Sequence, residues 1–302
     1  MLAVDLFAGA GGSTTGATQA GARVLWAANH WPAAVETHRA NHPATAHACQ
    51  DLHQADWGAV PDHDFLMASP ACTGHTRARG REQAHHDAAR STAWAVISCA
   101  EAKRPRVLVV ENVPEFRRWA LYPAWRMALE ALGYRLQERL INAADCGTPQ
   151  SRLRLYVIGT RSRKPLLLPA PELPRVPASA IIDWSSGEWS PIERPGRSAA
   201  TLARIAAGRR RFGERFAVAY YGSETGGRSL DQPLGTLTTR DRFALIDGPR
   251  MRMLSVDEMR AAMGFPPGYV LPPQRKVATH LLGNAVCPPA MQWLVERIRE
   301  KG

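Results

Sequence analysis

Apolar runs alternate with helix-spaced segments through the first half of the chain. The runs over Leu2–Leu6, Arg23–Ala28, Asp64–Ala68, Val107–Val110 and Leu153–Gly159 predict strands. Several are apolar throughout, as strands covered on both faces are. Between them, residues Ser13–Ala20, Pro32–Asn41, Arg90–Lys103 and Ala124–Leu132 predict helices. Pro32 suits a first helical turn, and Gly133 suits the stop after the last of these. This alternation is the mark of βαβ units around a mostly parallel sheet, an α/β fold.

The pattern then breaks. Seven prolines fall between 161 and 197 and interrupt regular structure. After the Arg209-Arg210-Arg211 cluster come β-like runs at Phe216–Tyr221, Gly235–Thr239 and Phe243–Asp247, a helix near Val256–Met263 and a closing helix near Pro289–Glu300. The division expected is a larger α/β domain over 1–164, a smaller irregular domain over 165–275, and a segment over 276–302 returning to the first.

Charge sharpens this division. The 302 residues carry a net +11. Residues 1–149 hold 14 basic and 14 acidic groups, whereas 150–302 hold 24 basic against 13 acidic. A neutral half joined to a basic half suggests a part that faces a polyanion. Arginine-rich coding bias would give the same numbers, since 34 of the 38 basic residues are Arg. No apolar run approaches the roughly 18 residues of a membrane span. The N-terminus lacks a basic region followed by a cleavage site, and five unevenly spaced cysteines make no disulfide or zinc framework. A cytoplasmic protein without a metal is expected.

Candidate chemistry sits at strand ends. The first strand runs into Asp5-Leu6-Phe7-Ala8-Gly9-Ala10-Gly11-Gly12-Ser13, a glycine-rich turn before a helix. Glycines allow close backbone approach and the helix start adds N–H donors. The spacing is neither G-x-G-x-x-G nor a P-loop. Asp5 and Phe7 suit a nucleoside with a charged tail; a purely structural turn is the plainer alternative. After the third predicted strand stands Ser69-Pro70-Ala71-Cys72-Thr73-Gly74-His75, followed by Arg77, Arg79, Arg81 and Arg90. Cations near a thiol favour the nucleophilic thiolate, although a lone Cys is more often a buried structural thiol. Glu111-Asn112-Val113 ends the next strand, where burial would make Glu111 a general acid. Arg152 and Arg154, at i and i+2, point to the same side.

Taken together and in this order, these segments resemble the DNA (cytosine-5) methyltransferases. Asp5–Gly12 is similar to that family's cofactor loop, Pro70-Ala71-Cys72 to its Pro-Cys nucleophile, and Glu111-Asn112-Val113 to its Glu-Asn-Val element. Gln150–Arg154 is similar to its Gln-x-Arg-x-Arg, and Gly283–Val286 to its late Gly-Asn-x-Val. The likeness covers nearly the whole chain except about 161–230, where the family places its variable recognition domain.

The resemblance implies a Rossmann-like domain that binds S-adenosylmethionine, with a smaller target-recognition domain, acting on double-stranded DNA as a monomer. It implies Cys72, Glu111, Arg152 and Arg154 as the catalytic set, acting on a flipped-out cytosine. It implies a cofactor site of Asp5, Phe7, Ala8, Gly9, Gly11, Gly12, His30, Trp31, Asp51, Leu52, Asn284 and Val286. The DNA contacts expected are Thr73, Arg77, Arg79, Arg81, Arg90, Arg209, Arg210, Arg211, Arg228, Thr238, Arg240 and Arg242.

Three positions depart from the family pattern. His30 stands where a Glu holds the ribose, Ala71 replaces a second Pro, and Thr73 replaces a Gln. Three other readings compete with this one. One branch of the family acts on tRNA, but its Cys-Phe-Thr segment is missing. A degenerate module that only grips DNA conflicts with the retained Cys72 and Glu111. A dinucleotide oxidoreductase would need a different glycine spacing.

Overall fold

The computed structural model describes residues 1–71, 92–162, 166–220 and 225–301. Its first half is a seven-stranded sheet. The strands are β1 (Leu2–Leu6), β2 (Arg23–Asn29), β3 (Ala46–Cys49), β4 (Phe65–Ala68), β5 (Val107–Asn112), β6 (Arg135–Asn142) and β7 (Leu153–Thr160), in the order β3-β2-β1-β4-β5-β7-β6. The five strands from β3 to β5 pair in parallel, and β7 pairs antiparallel with both β5 and β6. Strand order reverses direction between β1 and β4, so their carboxyl ends frame the crevice where ligands bind in such sheets.

Helices cover both faces. On one side α1 (Gly12–Gln19) packs against the closing helix α8 (Pro288–Lys301). The contact is close because Gly16 has no side chain: a Cβ there would meet the Pro288 carbonyl oxygen at 2.3 Å. Also on the first sheet is α2 (Pro32–Asn41). The opposite face carries α3 (Trp94–Lys103) and α4 (Tyr122–Ala131), backed by an aromatic cluster of Phe116, Trp119, Tyr122 and Trp125. Alternation along β5 sends Val107 and Val109 into one core, and Leu108 and Val110 into the other.

The region expected to be irregular has its own antiparallel sheet, β8 (Ser190–Pro191), β11 (Arg250–Met253), β10 (Phe243–Asp247) and β9 (Arg215–Ala219) in that order. A long helix, α5 (Ala199–Phe212), packs on β9, and α6 (Val256–Ala262) and α7 (Arg275–Asn284) follow. The expected strand Gly235–Thr239 is not one. Its backbone is held by side chains and turns from residues 149–152 instead: Leu237 N–H donates to Gln150 Oε1 at 2.7 Å, and Leu234 N–H to the Pro149 carbonyl at 3.0 Å. The charge-rich stretch read only as an arginine cluster is the C-terminal turn of α5. Gly208 argues against a helix by propensity, yet a Cβ there would meet the Phe216 ring at 2.2 Å. Packing on β9 requires that glycine.

Candidate active site

Three carboxyl-end turns meet above the sheet. β1 delivers Phe7–Gly12, β4 delivers Ser69–Ala71 and β5 ends in Glu111 and Asn112. Because β7 runs antiparallel to β5, its beginning rather than its end reaches this edge. Register pairs Glu111 with Tyr156 and Asn112 with Leu155, so Arg154 arrives one step beyond. Arg154 Nε lies 3.3 Å from Glu111 Oε1.

Glu111 is only 7% exposed. Burial pushes its carboxyl above the usual range, and the positive charges of Arg154 and Arg152 oppose that rise. A buried acid beside a cation is a group poised to hold and release a proton.

Arg152 stands differently. Its side chain does not share the open edge with Arg154, as the i, i+2 spacing had suggested. It is 3% exposed and donates to the carbonyl oxygens of Leu237 (3.1 Å), Gly283 (2.9 Å) and Ala285 (3.1 Å). Residue 152 lies just before β7 begins, where strand alternation has not yet taken hold. The guanidinium ties the two sequence-distant segments at 237 and 283–285 to the sheet edge. Gln150 does similar work, donating to the Ala262 carbonyl at 3.2 Å while accepting from Leu237.

Cys72, Thr73, Arg77, Arg79, Arg81 and Arg90 lie outside the described residues. The turn leading to them is well defined. Ser69 N–H donates to the Leu6 carbonyl at 3.1 Å, Asn112 Nδ2 to the Pro70 carbonyl at 3.1 Å, and Ala71 N–H to Thr92 Oγ1 at 3.2 Å. In the sequence Asn112 reads only as a motif member, and no local signal marks Thr92.

The glycine loop is closed beneath and open above. Gly11 has φ +88°, and a Cβ there would meet the Tyr269 hydroxyl at 2.6 Å. Gly12 abuts the Val286 backbone, with the Val286 carbonyl 2.0 Å from where a Cβ would stand. Val286 thus braces the loop from below with its side chain buried. Phe7 and Gly9 are its partly open positions, and among the described residues only the Phe7 carbonyl lies within 4 Å of a Cβ built at Gly9. Ala8 and Leu52 are buried. Along the rim, His30, Asp51 and Asn284 are exposed, and Trp31 is half-buried edge-on to His280 at 5.3 Å. An aromatic ring, an open glycine and an exposed carboxylate beside a helix start without a side-chain cap fit an adenosine-bearing ligand with an amino-acid tail.

Asp5 is not on this surface. It is fully buried and accepts a hydrogen bond from the Thr14 hydroxyl at 2.8 Å. Burial raises its carboxyl to about 7. Behind it run His38, 3.0 Å from Thr14 Oγ1, and His47, 2.8 Å from His38. His42 contacts Thr15 at 3.1 Å and the Tyr269 hydroxyl at 3.2 Å. No local pattern marks this buried polar layer, because its members come from β1, α1, α2, β3 and the residue 269 turn.

The basic residues of the second half separate into two groups. β9 and β10 pair Arg215 with Asp247 at one end and Ala219 with Phe243 at the other. Thr238, Arg240 and Arg242 lie at the end next to Gly283 and the sheet edge, where Arg242 donates to the Tyr220 carbonyl at 3.1 Å. Arg209, Arg210 and Arg211 lie at the opposite end. Arg209 faces Glu214 there, and Arg211 and Arg215 line a 420 Å³ pocket with Trp184 and Phe212. Arg228 bonds to Ala217 partway along β9.

Among the described residues, no helix is long and apolar enough to cross a membrane. The family model for the C-5 cytosine-specific DNA methylases matches residues 1–188 and 190–300. A type II methyltransferase of Neisseria lactamica, M.NlaX, is 25% identical over 98% of this chain and 95% of its own. M.HhaI of Haemophilus parahaemolyticus is 25% identical over 98% and 93%. Among solved structures, the Schizosaccharomyces pombe Dnmt2 methyltransferase superposes with a TM-score of 0.68 at 16% identity, over 99% of this chain and 98% of that one.

Proposed function

Because the chain belongs to the C-5 cytosine-specific DNA methylase family, and is thereby a DNA (cytosine-5) methyltransferase, we propose that it works through a covalent adduct of Cys72 with a cytosine turned out of the duplex. The observation that carries this reading is the buried Glu111–Arg154 pair. It stands beside a turn whose next residue is Cys72 and which Asn112 holds by its Pro70 carbonyl.

Cytosine C5 is a poor nucleophile. The Cys72 thiolate adds to C6, forming a C–S bond, while Glu111 gives its proton to N3, so the ring becomes an enamine without building negative charge. Arg154 donates to the O2 of the base and holds it against Glu111. S-adenosylmethionine, when bound, supplies the methyl group that C5 takes up. A base then removes the C5 proton, the C–S bond breaks, Cys72 leaves as thiolate and Glu111 recovers its proton. A stacked, paired cytosine offers no path to C6, so the target must leave the helix.

For the cofactor, Trp31 and Phe7 would flank the adenine and Asp51 would accept from its amino group. Gly9 would admit the amino-acid tail, with Asn284 at the rim. His30 would face the ribose as a donor or acceptor. Asp5, Ala8, Gly11, Gly12, Leu52 and Val286 would shape this site from beneath. Arg152 would support it by holding residues 237 and 283–285.

Residues 165–275 would recognise the target sequence. The position of Thr238, Arg240 and Arg242 next to the sheet edge supports them as base or nearby backbone contacts. The remoteness of Arg209, Arg210 and Arg211 supports phosphate contact further along the duplex.

Two measurements test this. Tritium transfer from labelled S-adenosylmethionine to mixed-sequence duplex DNA, but not to tRNA, is expected. A covalent complex with 5-fluorocytosine DNA is expected in the wild type and lost in Cys72→Ser. Folded protein that labels no DNA at any salt or pH overturns the proposal.

A further inference from the structure

We propose that Thr92 is a positioning residue for the nucleophile, its hydroxyl fixing the peptide from which Cys72 emerges; the assignment rests on Cys72 being that nucleophile. A polar backbone group must find a partner when it leaves water, and both N–H groups of the 69–71 turn and the Pro70 carbonyl have one. Ser69 N–H is taken by the Leu6 carbonyl, and its hydroxyl donates to the Phe7 carbonyl at 3.2 Å. Pro70 has no N–H, and its carbonyl accepts from Asn112 Nδ2 at 3.1 Å. The Ala71 N–H donates to Thr92 Oγ1 at 3.2 Å.

Both clamps stand on rigid supports. Asn112 is oriented by its own Oδ1, which accepts from Val113 N–H at 2.9 Å. Thr92 enters α3, with its carbonyl accepting from Ala95 N–H at 3.2 Å. The next residue, Ala93, is held through its carbonyl by the buried Trp125 indole at 2.9 Å. Beyond the clamped Ala71 amide, only the Ala71 backbone, φ of Cys72 and its χ1 set where the sulfur goes. Freeing that amide loosens an attacking atom whose placement to within about 1 Å is worth on the order of 10²-fold in rate.

Alanine at 71 explains why a hydroxyl is needed. Proline would set φ by its ring and present no N–H. Alanine leaves φ free and adds a donor, and the Thr92 hydroxyl answers both.

The test is single-turnover formation of the covalent complex by the full chain, with S-adenosylmethionine and mixed-sequence duplex DNA containing 5-fluorocytosine. Thr92→Val is expected to slow adduct formation about 10- to 100-fold, with DNA affinity and melting temperature held, and Thr92→Ser to restore most of it. In an Ala71→Pro background the Thr92→Val cost should be clearly smaller than in the alanine parent, because the Ala71 donor is gone. An adduct that depends on Cys72 yet forms at the wild-type rate in Thr92→Val overturns the assignment alone, as does an equal loss in Thr92→Ser. If Ala71→Pro does not fold, the Ser and Val comparison decides by itself. No adduct in the wild type, or one that survives Cys72→Ser, overturns the Cys72 reading and this assignment with it.

Discussion

Glu111 and Arg154 face each other across antiparallel strands, Oε1 to Nε at 3.3 Å, with the carboxyl almost wholly out of water. Burial and a neighbouring cation act on the acid in opposite directions. Removing the cation as Arg154→Met should therefore raise the Glu111 pKa further. On the proposed mechanism the acid form of Glu111 acts and Arg154 meets the base O2, so the alkaline limb of the single-turnover pH–rate profile should move to higher pH while the maximal rate falls. Glu111→Gln should lower the rate by about 10²- to 10⁴-fold with cofactor affinity unchanged by calorimetry. An unshifted alkaline limb in Arg154→Met would separate that limb from Glu111.

Arg152 and Arg154 should differ in what their loss does. Arg152→Met leaves three buried carbonyls without their donor, for a cost of roughly 3 kcal/mol, read from urea unfolding. Arg154→Met leaves the buried Glu111 carboxyl without its nearest cation, and protonation of that acid offsets the loss at low pH, so its cost in stability should grow as pH rises. The two losses measured side by side distinguish a tie from a substrate contact.

The buried layer under the glycine loop makes stability depend on pH. Burial holds His38 near 2 and His42 near 4, so below about 6.5 the unfolded chain takes up protons that the folded one refuses. Stability from these two groups is therefore lost as pH falls. Asp5, raised to about 7, works the other way: between about 4 and 7 the folded chain keeps a proton that the unfolded one has released, so its contribution weakens stability as pH rises. For these three groups together, between about pH 4 and 6 the unfolded state binds roughly one proton more, so they lower stability as pH falls by on the order of 1 kcal/mol per pH unit. His42→Gln should flatten that slope in urea titrations at several pH values.

Gly16 carries a purely steric prediction. Gly16→Ala would press a methyl group against the Pro288 carbonyl and, at 2.8 Å, the Gln292 amide. Both are backbone atoms of α8 and cannot swing aside. A loss of about 1–3 kcal/mol is expected, measured by thermal unfolding, although alanine is the better helix former.

Much of the site is legible in the sequence alone. Five strands of the large sheet stand out because strands covered on both faces are apolar runs, and the ordered motifs at their ends identify the family. β3 and β6 carry no such signal: β3 is four residues long, and β6 (Arg135–Asn142) has apolar residues only at 136, 140 and 141, neither a continuous run nor a period of two. α7 was hidden behind the Gly283-Asn284 turn signal, which marks its end rather than a free loop.

By itself the sequence determined the α/β class, the order of the chemistry along the chain and the reaction class, since these reside in local periodicity and in residues adjacent to one another. Tertiary structure decided the roles. Antiparallel pairing of β7 with β5, set by contacts far apart in the chain, brings Arg154 to Glu111. Segments at 237 and 283–285 turn Arg152 into a buried tie. Packing from five separate elements removes Asp5 from the surface it was expected to line. The antiparallel register of β9 on β10 separates the basic residues into one group beside the edge of the large sheet and another at the far end of the small one. Spacing along a chain says which residues share a strand or a helix face; which groups lose water together depends on long-range pairing, and that determines both their charge and their partners.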